Sequence, residues 1–213
     1  MITLALDAST YRGTVAVLDG ARLIVAGSTA MRGKDAERLM PAVDVALRDA
    51  GHVVADVSRV VCGAGPGSFT SLRIAASLAK GIALGRGIPL YAVPSLSLIV
   101  AANVKDGPRG ARRYLAVLDA LRGESYIEEY EHDQGVVRLI RVHGRMDNAG
   151  IAAFGAERQA RPVGPEQGDQ WLPHARGVSL LEAALPVAVD AEVWEPTYGR
   201  LAEAEVRRVA TAP

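Results

Sequence analysis

A glycine-rich loop is the stretch of this sequence with the clearest chemical potential. Residues 63–70 read GAGPGSFT and come directly before an apolar run that predicts a helix. Glycine loops that open helices often hold phosphates, because backbone N–H groups point at the ligand. Neither standard phosphate fingerprint fits here. A Walker A loop requires Lys and Ser/Thr after its last glycine, and a dinucleotide loop requires a sixth-place glycine, where Ser68 stands.

Two interpretations of this loop are open. The N–H groups of residues 68–70 could face an anion at the start of the following helix, in which case Gly65, Gly67 and Ser68 would form the site. Alternatively, Gly65-Pro66-Gly67 makes only a tight turn from a buried strand into that helix.

Two aspartates also bear on whether the chain binds a phosphate-containing ligand. Asp7 and Asp119 each end a predicted apolar strand, and Ser9 follows the first of them closely. In actin, hexokinase and Hsp70 proteins, aspartates placed in this way help to hold a metal-bound nucleotide between two lobes, so the resemblance implies ATP or ADP as a ligand. The alternative is that each aspartate bonds the turn after its strand.

Metal and nucleophile chemistry finds no support in the spacing of residues. The four histidines are scattered and form no H-x-x-x-H pattern, and Cys62 stands alone in a predicted strand, where it acts as a small hydrophobe. Ser68 lacks the flanking glycines of a G-x-S-x-G nucleophile elbow. The sequence therefore predicts no catalytic residue and no metal site.

The charge balance bears on nucleic-acid binding. Lys+Arg and Asp+Glu both total 24, so the formal net charge is zero, whereas a stand-alone nucleic-acid binder usually carries a basic excess. One basic cluster, Arg109, Arg112 and Arg113, could contact RNA phosphates or could belong to a solvated linker.

Composition places the chain among cytoplasmic proteins. With 213 residues and 49% apolar content it can bury a sizeable core. The single cysteine fits a reducing compartment. We expect no signal peptide and no membrane span, because the opening residues have no basic leader and no apolar run reaches about 18 residues.

The first half of the chain predicts alternating strands and helices. Short apolar runs bounded by turn residues indicate buried strands, and apolar residues at helical spacing indicate helices. Pro41 should kink the first helix or displace its start, whereas Ser68 or Thr70 should cap the second and Ser95 the third. The predicted strands are 2–6, 14–18, 22–26 and 58–62, and the predicted helices are 35–50, 70–84 and 95–104. Asp19-Gly20 is a hairpin signal between the second and third strands.

The second half repeats this layout. Residues 4–26 and 114–140 both read as strand, aspartate, turn, strand, hairpin and strand. We therefore expect an α/β fold of two similar lobes, each a mixed sheet flanked by helices. The polar stretch 105–113 is the best hinge, which gives lobes 1–105 and 106–213. Beyond residue 145 the pattern is weaker, with helices expected within 145–156 and 178–188 and a loop over 161–174.

The helix at 70–84 is apolar or small-sided most of the way round. Arg73 and Lys80 are the main interruptions. A helix that is apolar on more than one face is buried on more than one face. One face can pack on its own sheet, and the other on a partner subunit or within a two-layer core.

Motifs distributed in order along the chain resemble the bacterial TsaB (YeaZ) proteins. The most specific is GAGPGSFTSLRI at 63–74. The others are LALDAST near the start, ERLMPAVDVAL at 37–47, YAVPSLSLIV at 91–100, LDALRGESYIEEY at 118–130 and PTYGR at 196–200.

This resemblance implies a duplicated actin-like fold and a non-catalytic role in making threonylcarbamoyladenosine in tRNAs that read codons beginning with A. It implies dimerisation with a TsaD-type paralogue, which carries the catalytic metal, and a TsaE-type ATPase as a further partner. A homodimer in isolation, tRNA contact only through the complex and no tightly bound cofactor are further expectations.

The resemblance also implies which residues matter. The catalytic paralogue carries His-x-x-x-His on the helix matching 95–104, where this chain has no histidine. Departures from the family pattern are Asp35, Ser71 and Gly199, where His, Gly and Leu are usual. Pairing in the family uses the first two helices, so the implied interface residues are Leu39, Met40, Val43, Leu72, Ile74, Ser77 and Leu78.

Overall fold

The first sheet contains six strands and is built around a buried central strand. The computed structural model describes residues 1–31, 38–104, 112–168 and 171–199. Its first sheet has the order β10-β5-β4-β1-β2-β3. The strands are β1 (Ile2–Asp7), β2 (Arg12–Asp19), β3 (Arg22–Ala30), β4 (Val57–Gly63), β5 (Leu90–Val93) and β10 (Val187–Val189).

The strand β1 explains why this sheet forms. Its residues from Thr3 to Asp7 are buried, as expected for a short apolar run covered on both faces. It pairs antiparallel with β2 and parallel with β4. The predicted Asp19-Gly20 hairpin joins β2 to β3, and Gly20 takes the positive φ of +61° that such a turn requires.

The second sheet repeats the plan of the first. A meander of β6 (Arg112–Asp119), β7 (Glu124–Asp133) and β8 (Val136–Asp147) is antiparallel, and β9 (Ala160–Val163) pairs parallel with β6. The order β8-β7-β6-β9 therefore matches β3-β2-β1-β4 of the first sheet. This correspondence confirms the predicted duplicated actin-like fold.

Four α-helices accompany these sheets within the described ranges: α1 (Leu39–Asp49), α2 (Phe69–Arg86), α3 (Ser95–Asn103) and α4 (Ile151–Glu157). Pro41 lies in the first turn of α1, which confirms the displaced start; the predicted beginning at residue 35 lies outside the described residues. The helix α2 runs past Gly85 and ends at Gly87, which is left-handed at φ +62°. None of these helices is long and apolar enough to cross a membrane.

The helix α3 joins the two halves of the molecule. Its residues from Ser95 to Ala101 are all buried, so it has no solvent face. Leu96, Ile99 and Val100 pack in the core of the second sheet, whereas Leu98 packs with residues of the first. The helix α3 therefore connects the cores of the two sheets.

Several expectations for the second half require correction. Residues 145–147 belong to β8, so the helix expected from 145 begins only at Ile151. Of the helix expected at 178–188, only residues 178–180 are helical, as the end of a short 3₁₀ helix, Ala175–Leu180, and residues 187–188 belong to β10. Arg112 and Arg113 lie in β6 and not in a linker; the rest of the predicted hinge, 105–111, is outside the described residues.

The chain returns to the first sheet near its end. The strand β10 pairs with β5, and Ala175 N donates to Thr14 Oγ1 of β2 at 3.0 Å. Ala175 and β10 thus contact the first sheet, whereas Leu181 and Leu185 between them pack with the second. The predicted boundary assigns all of 106–213 to the second lobe. The boundary itself stays a prediction.

Candidate functional site

The glycine loop between β4 and α2 makes hydrogen bonds to its own protein. Ala64 N donates to Val93 O at 2.7 Å, and Gly65 N donates to Ser95 Oγ at 3.0 Å. Ser68 N donates to Ser9 O at 2.7 Å. Three N–H groups of this loop are therefore occupied, and one of them, Ser68 N, belongs to the residues 68–70 that were expected to face an anion.

Close approach by other backbone and side-chain atoms explains the three glycines. A Cβ at Gly63 would lie less than 3.0 Å from Asp7 Oδ2, and one at Gly67 would lie equally close to the carbonyl oxygen of Ser9. At Gly65, which has φ +83°, a Cβ would meet the carbonyl oxygen of Thr197. These contacts support the tight-turn interpretation of Gly65-Pro66-Gly67.

Asp7 is fully buried at the end of β1, and both its carboxylate oxygens accept hydrogen bonds from within the chain. Oδ1 accepts from Ser9 N at 3.0 Å and from Ser9 Oγ at 2.8 Å, while Oδ2 accepts from Ser95 Oγ at 2.6 Å. Burial raises the pKa of Asp7, against the lowering effect of these donors. Asp7 thus fastens β1 to α3 and to the glycine loop.

Asp119 occupies the matching place in the second sheet, at the end of β6, but it is exposed. Its Oδ1 accepts from Leu121 N at 2.8 Å, two residues on, as Asp7 Oδ1 accepts from Ser9 N. Both aspartates therefore make the turn-bonding contact that was the alternative to nucleotide binding.

The helix starts differ from the predicted caps. Ser68 occupies the N-cap position of α2, but its hydroxyl donates to Ser71 Oγ at 3.1 Å and accepts no capping hydrogen bond from a backbone N–H. Ser95 lies in the first turn of α3. Its hydroxyl donates to Asp7 Oδ2 and accepts a hydrogen bond from Gly65 N. Both serines were expected to bond helix termini, and tertiary contacts take their side chains instead.

A segment near the end of the chain covers the glycine loop, and nothing in the sequence pattern predicted this. Thr197 N donates to Ala64 O at 2.7 Å. The ring of Tyr198 packs on Phe69 with centroids 4.6 Å apart. Gly199 has φ +78°, and a Cβ there would meet the hydroxyl of Tyr126, which explains a glycine where the family usually has leucine. The PTYGR motif at 196–200 marks this segment in the sequence but does not indicate what the segment contacts.

Three of the seven predicted interface residues belong to the core of the chain itself. Leu39, Val43 and Leu72 are fully buried, which corrects their assignment to a partner surface. Ile74 and Leu78 are half-buried and pack against the same core. The apolar sides of both helices face inward, since the chain's own sheet is what covers them.

Met40 and Ser77 are the two predicted interface residues that lie on the surface. Met40 is 48% exposed, and Ser77 is also exposed. With them on the outer sides of α1 and α2 lie Val45, Gly81 and Leu84, of which Leu84 is 50% exposed. We call these five residues the outer face of α1 and α2.

Several titratable and nucleophilic groups are buried in the part of the chain that the structure describes. No three His, Cys, Asp or Glu side chains there are grouped as metal ligands. Cys62 is buried, and burial raises the pKa of its thiol. Burial lowers the pKa of His174 to about 4.

Comparisons with known proteins agree on one family. Residues 31–142 match the family model described as TsaD, tRNA N6-adenosine threonylcarbamoyltransferase. The chain is 33% identical to the tRNA threonylcarbamoyladenosine biosynthesis protein TsaB of Escherichia coli over 77% of its own length and 80% of that protein's. The TsaB protein of Bacillus subtilis is also 33% identical, over 66% of this chain and 59% of the relative.

A solved structure extends the agreement to three dimensions. YeaZ from Pseudomonas aeruginosa superposes with a TM-score of 0.73 at 29% identity, covering 92% of this chain and 99% of that one. Sequence and fold thus point the same way, and the chain belongs to the TsaB (YeaZ) family.

Proposed function

We propose that this protein is a non-catalytic subunit in the biosynthesis of threonylcarbamoyladenosine in tRNA. The observation that carries the proposal is the similarity to E. coli TsaB, a biosynthesis protein for this nucleoside, over four-fifths of that relative. As a tRNA-processing component the chain would act in the cytoplasm.

The contacts that already occupy Asp7 and the glycine loop support a non-catalytic role. Asp7, Gly67 and Ser68, which a nucleotide would have to contact, are engaged with Ser9 and Ser95. A ligand at this place would have to displace both the serines and the covering segment around Thr197. The helix α3 also lacks the paired histidines that the catalytic paralogue uses for its metal. We infer that no nucleotide binds tightly at Asp7.

The outer face of α1 and α2 is the proposed contact with a TsaD-type paralogue. It combines exposed apolar side chains, Met40 and Leu84, with the small residues Ser77 and Gly81, so a partner helix could approach closely. The same face would serve for a homodimer when the paralogue is absent. A TsaE-type ATPase would complete the assembly, and tRNA would be the substrate of the whole assembly.

Reconstitution tests this function directly. The chain, a TsaD-type paralogue and a TsaE-type ATPase would be mixed with tRNA transcript and threonylcarbamoyl-adenylate, and the modified nucleoside would be measured by mass spectrometry. We expect modification only when this chain is present, and none from the chain alone. Full activity of the remaining components without it would overturn the proposal.

The alternative, a stand-alone ATP-binding enzyme of the actin-like fold, is tested separately. Titration calorimetry with ATP and magnesium should give no tight binding, since Asp7 is enclosed. Tight binding that Asp7→Asn abolishes, accompanied by turnover, would favour the enzyme.

A further inference from the structure

A basic pocket lies at the edge of the second sheet, where β6 and β9 begin. It is a cavity of about 650 Å³, away from the glycine loop and from the outer face of α1 and α2. Its lining residues are Arg112, Arg113, Tyr114, Glu131, Gln159 and Arg161. Three guanidinium groups thus share the pocket with one carboxylate.

Arg113 is held in place from behind by a buried carboxylate. Its Nη1 lies 3.7 Å from Glu129 Oε1, and Glu129 is 1% exposed. His143 Nε2, at 3.1 Å, and Arg158 Nη1, at 3.3 Å, contact the other oxygen of Glu129. This buried carboxylate fixes the position of Arg113, which is one of the residues that line the pocket.

Arg112 and Glu131 determine the net charge at the mouth of the pocket. Glu131 Oε1 lies 3.7 Å from Arg113 Nε and offsets part of its charge. Arg112 is exposed and forms no ion pair with any residue in the described part of the chain. The pocket therefore keeps a positive excess in a protein whose formal net charge is zero.

Aromatic rings adjoin these cations. The guanidinium of Arg161 stands over the ring of Trp171, 5.7 Å from its centroid. Trp171 in turn packs against Tyr114, with centroids 5.4 Å apart. Cationic side chains interleaved with aromatic faces are the combination that proteins use to track a nucleic-acid strand.

We propose that this pocket binds the phosphodiester backbone of RNA, so that this subunit contacts tRNA directly. Arginine forks pair with two phosphate oxygens at once, and Arg112 is the guanidinium here that has no competing carboxylate among the described residues. The choice of tRNA as the RNA rests on the proposed function; the phosphate chemistry rests on the pocket alone. Contact through the backbone gives affinity without base readout.

Charge reversal at Arg112 tests the site. Binding of a fluorescein-labelled tRNA transcript would be followed by anisotropy over a series of KCl concentrations, for the chain alone and for the assembled complex. Arg112→Glu should weaken binding roughly tenfold at low salt. It should also reduce the slope of log K against log salt by about one. Arg161→Glu should act similarly, and Arg112→Lys should retain most of the affinity.

Arg22→Glu is the matched control. Arg22 is the first residue of β3, as Arg112 is of β6, and its side chain is exposed in the other sheet. The control should bind like wild type. Equal affinity of Arg112→Glu, Arg161→Glu and wild type at every salt concentration would overturn the proposal.

Competition experiments distinguish between the classes of anionic ligand that this pocket could bind. Unlabelled RNA should displace the labelled tRNA, whereas ATP, pyrophosphate or polyglutamate at equal charge concentration should do so at least tenfold less effectively. Stronger displacement by polyglutamate would indicate an acidic peptide instead, and stronger displacement by ATP or pyrophosphate a small-phosphate site.

A kinetic readout keeps this inference distinct from the proposed function. In reconstituted modification, Arg112→Glu should raise KM for tRNA more than it lowers kcat. If wild type fails to stimulate modification at all, the proposed function fails, while the binding measurements still decide the pocket.

Discussion

Ser95 Oγ lies 2.6 Å from Asp7 Oδ2 and donates a hydrogen bond to it, which ties α3 to the end of the central strand β1. Ser95 Oγ also accepts a hydrogen bond from Gly65 N at 3.0 Å. One hydroxyl group thus serves a buried carboxylate and the turn of the glycine loop together.

Ser95→Ala should lower the free energy of unfolding, because it leaves Asp7 Oδ2 and Gly65 N without this partner. Each buried polar group left unsatisfied costs about 1–3 kcal/mol. Urea unfolding followed by circular dichroism measures the change. Ser77→Ala, at an exposed position of α2, is the matched control and should stay within about 0.5 kcal/mol of wild type. Equal losses in the two variants would contradict this role of Ser95.

Two glycine substitutions should act in opposite directions. A Cβ at Gly67 meets the backbone of Ser9, which cannot rotate away, so Gly67→Ala should destabilise by about 2 kcal/mol or more. Gly81 lies inside α2 with no atom within 4 Å of the added Cβ, so Gly81→Ala should stabilise by about 0.5–1 kcal/mol. Thermal midpoints of the purified chains report both. A stable Gly67→Ala variant would mean that the loop does not pack against Ser9 as described.

The buried pair of Glu128 and Tyr130 predicts a pH dependence of stability. The Tyr130 hydroxyl donates to Glu128 Oε2, and burial raises the pKa of Glu128. A carboxyl whose pKa is raised by folding contributes its full stability below the unfolded pKa of about 4.3 and loses it as the pH rises through the folded value. Glu128→Gln cannot ionise, yet its amide oxygen can still accept from Tyr130.

The thermal midpoint of Glu128→Gln should therefore be close to that of wild type near pH 4 and should exceed it increasingly as the pH rises above the unfolded pKa of about 4.3. Scanning calorimetry across this range measures the difference. Glu157→Gln, at the exposed end of α4, should follow wild type throughout. A constant offset for Glu128→Gln at all pH values would show that ionisation of Glu128 does not govern the effect.

Local patterns were sufficient to predict the strands and the duplication. The run ITLAL, the Asp19-Gly20 hairpin and the repeated strand-aspartate-turn layout each depend on neighbouring residues, and the structure places them as expected. The turn contacts of Asp7 and Asp119 are equally local, because each spans two residues.

Long-range packing was not predictable in the same way. Apolar spacing marks one face of a helix but does not say which body covers it, so Leu39 and Leu72 could be assigned to a partner although the sheet of the chain itself buries them. The contact of Thr197 with Ala64 joins residues more than a hundred positions apart. Periodicity carries no information about such a pair.

The outer face of α1 and α2 gives a prediction that separates association from folding. Ser77 is exposed, so Ser77→Arg should leave the fold of the isolated chain unchanged. At an interface the same arginine would be a desolvated charge without a partner. Association with a TsaD-type paralogue, measured by light scattering and titration calorimetry, should weaken at least about tenfold.

Val142→Arg is the control for this experiment, because Val142 is 59% exposed on β8, in the other sheet. It should associate like wild type. Ile74→Asp and Leu78→Asp are less informative, since both side chains also pack against the core and a loss of association could follow from unfolding. If Ser77→Arg and Met40→Arg both bind the paralogue with wild-type affinity while their thermal midpoints are unchanged, the partner must occupy a different surface, and the exposed apolar side chains of α1 and α2 would need another explanation.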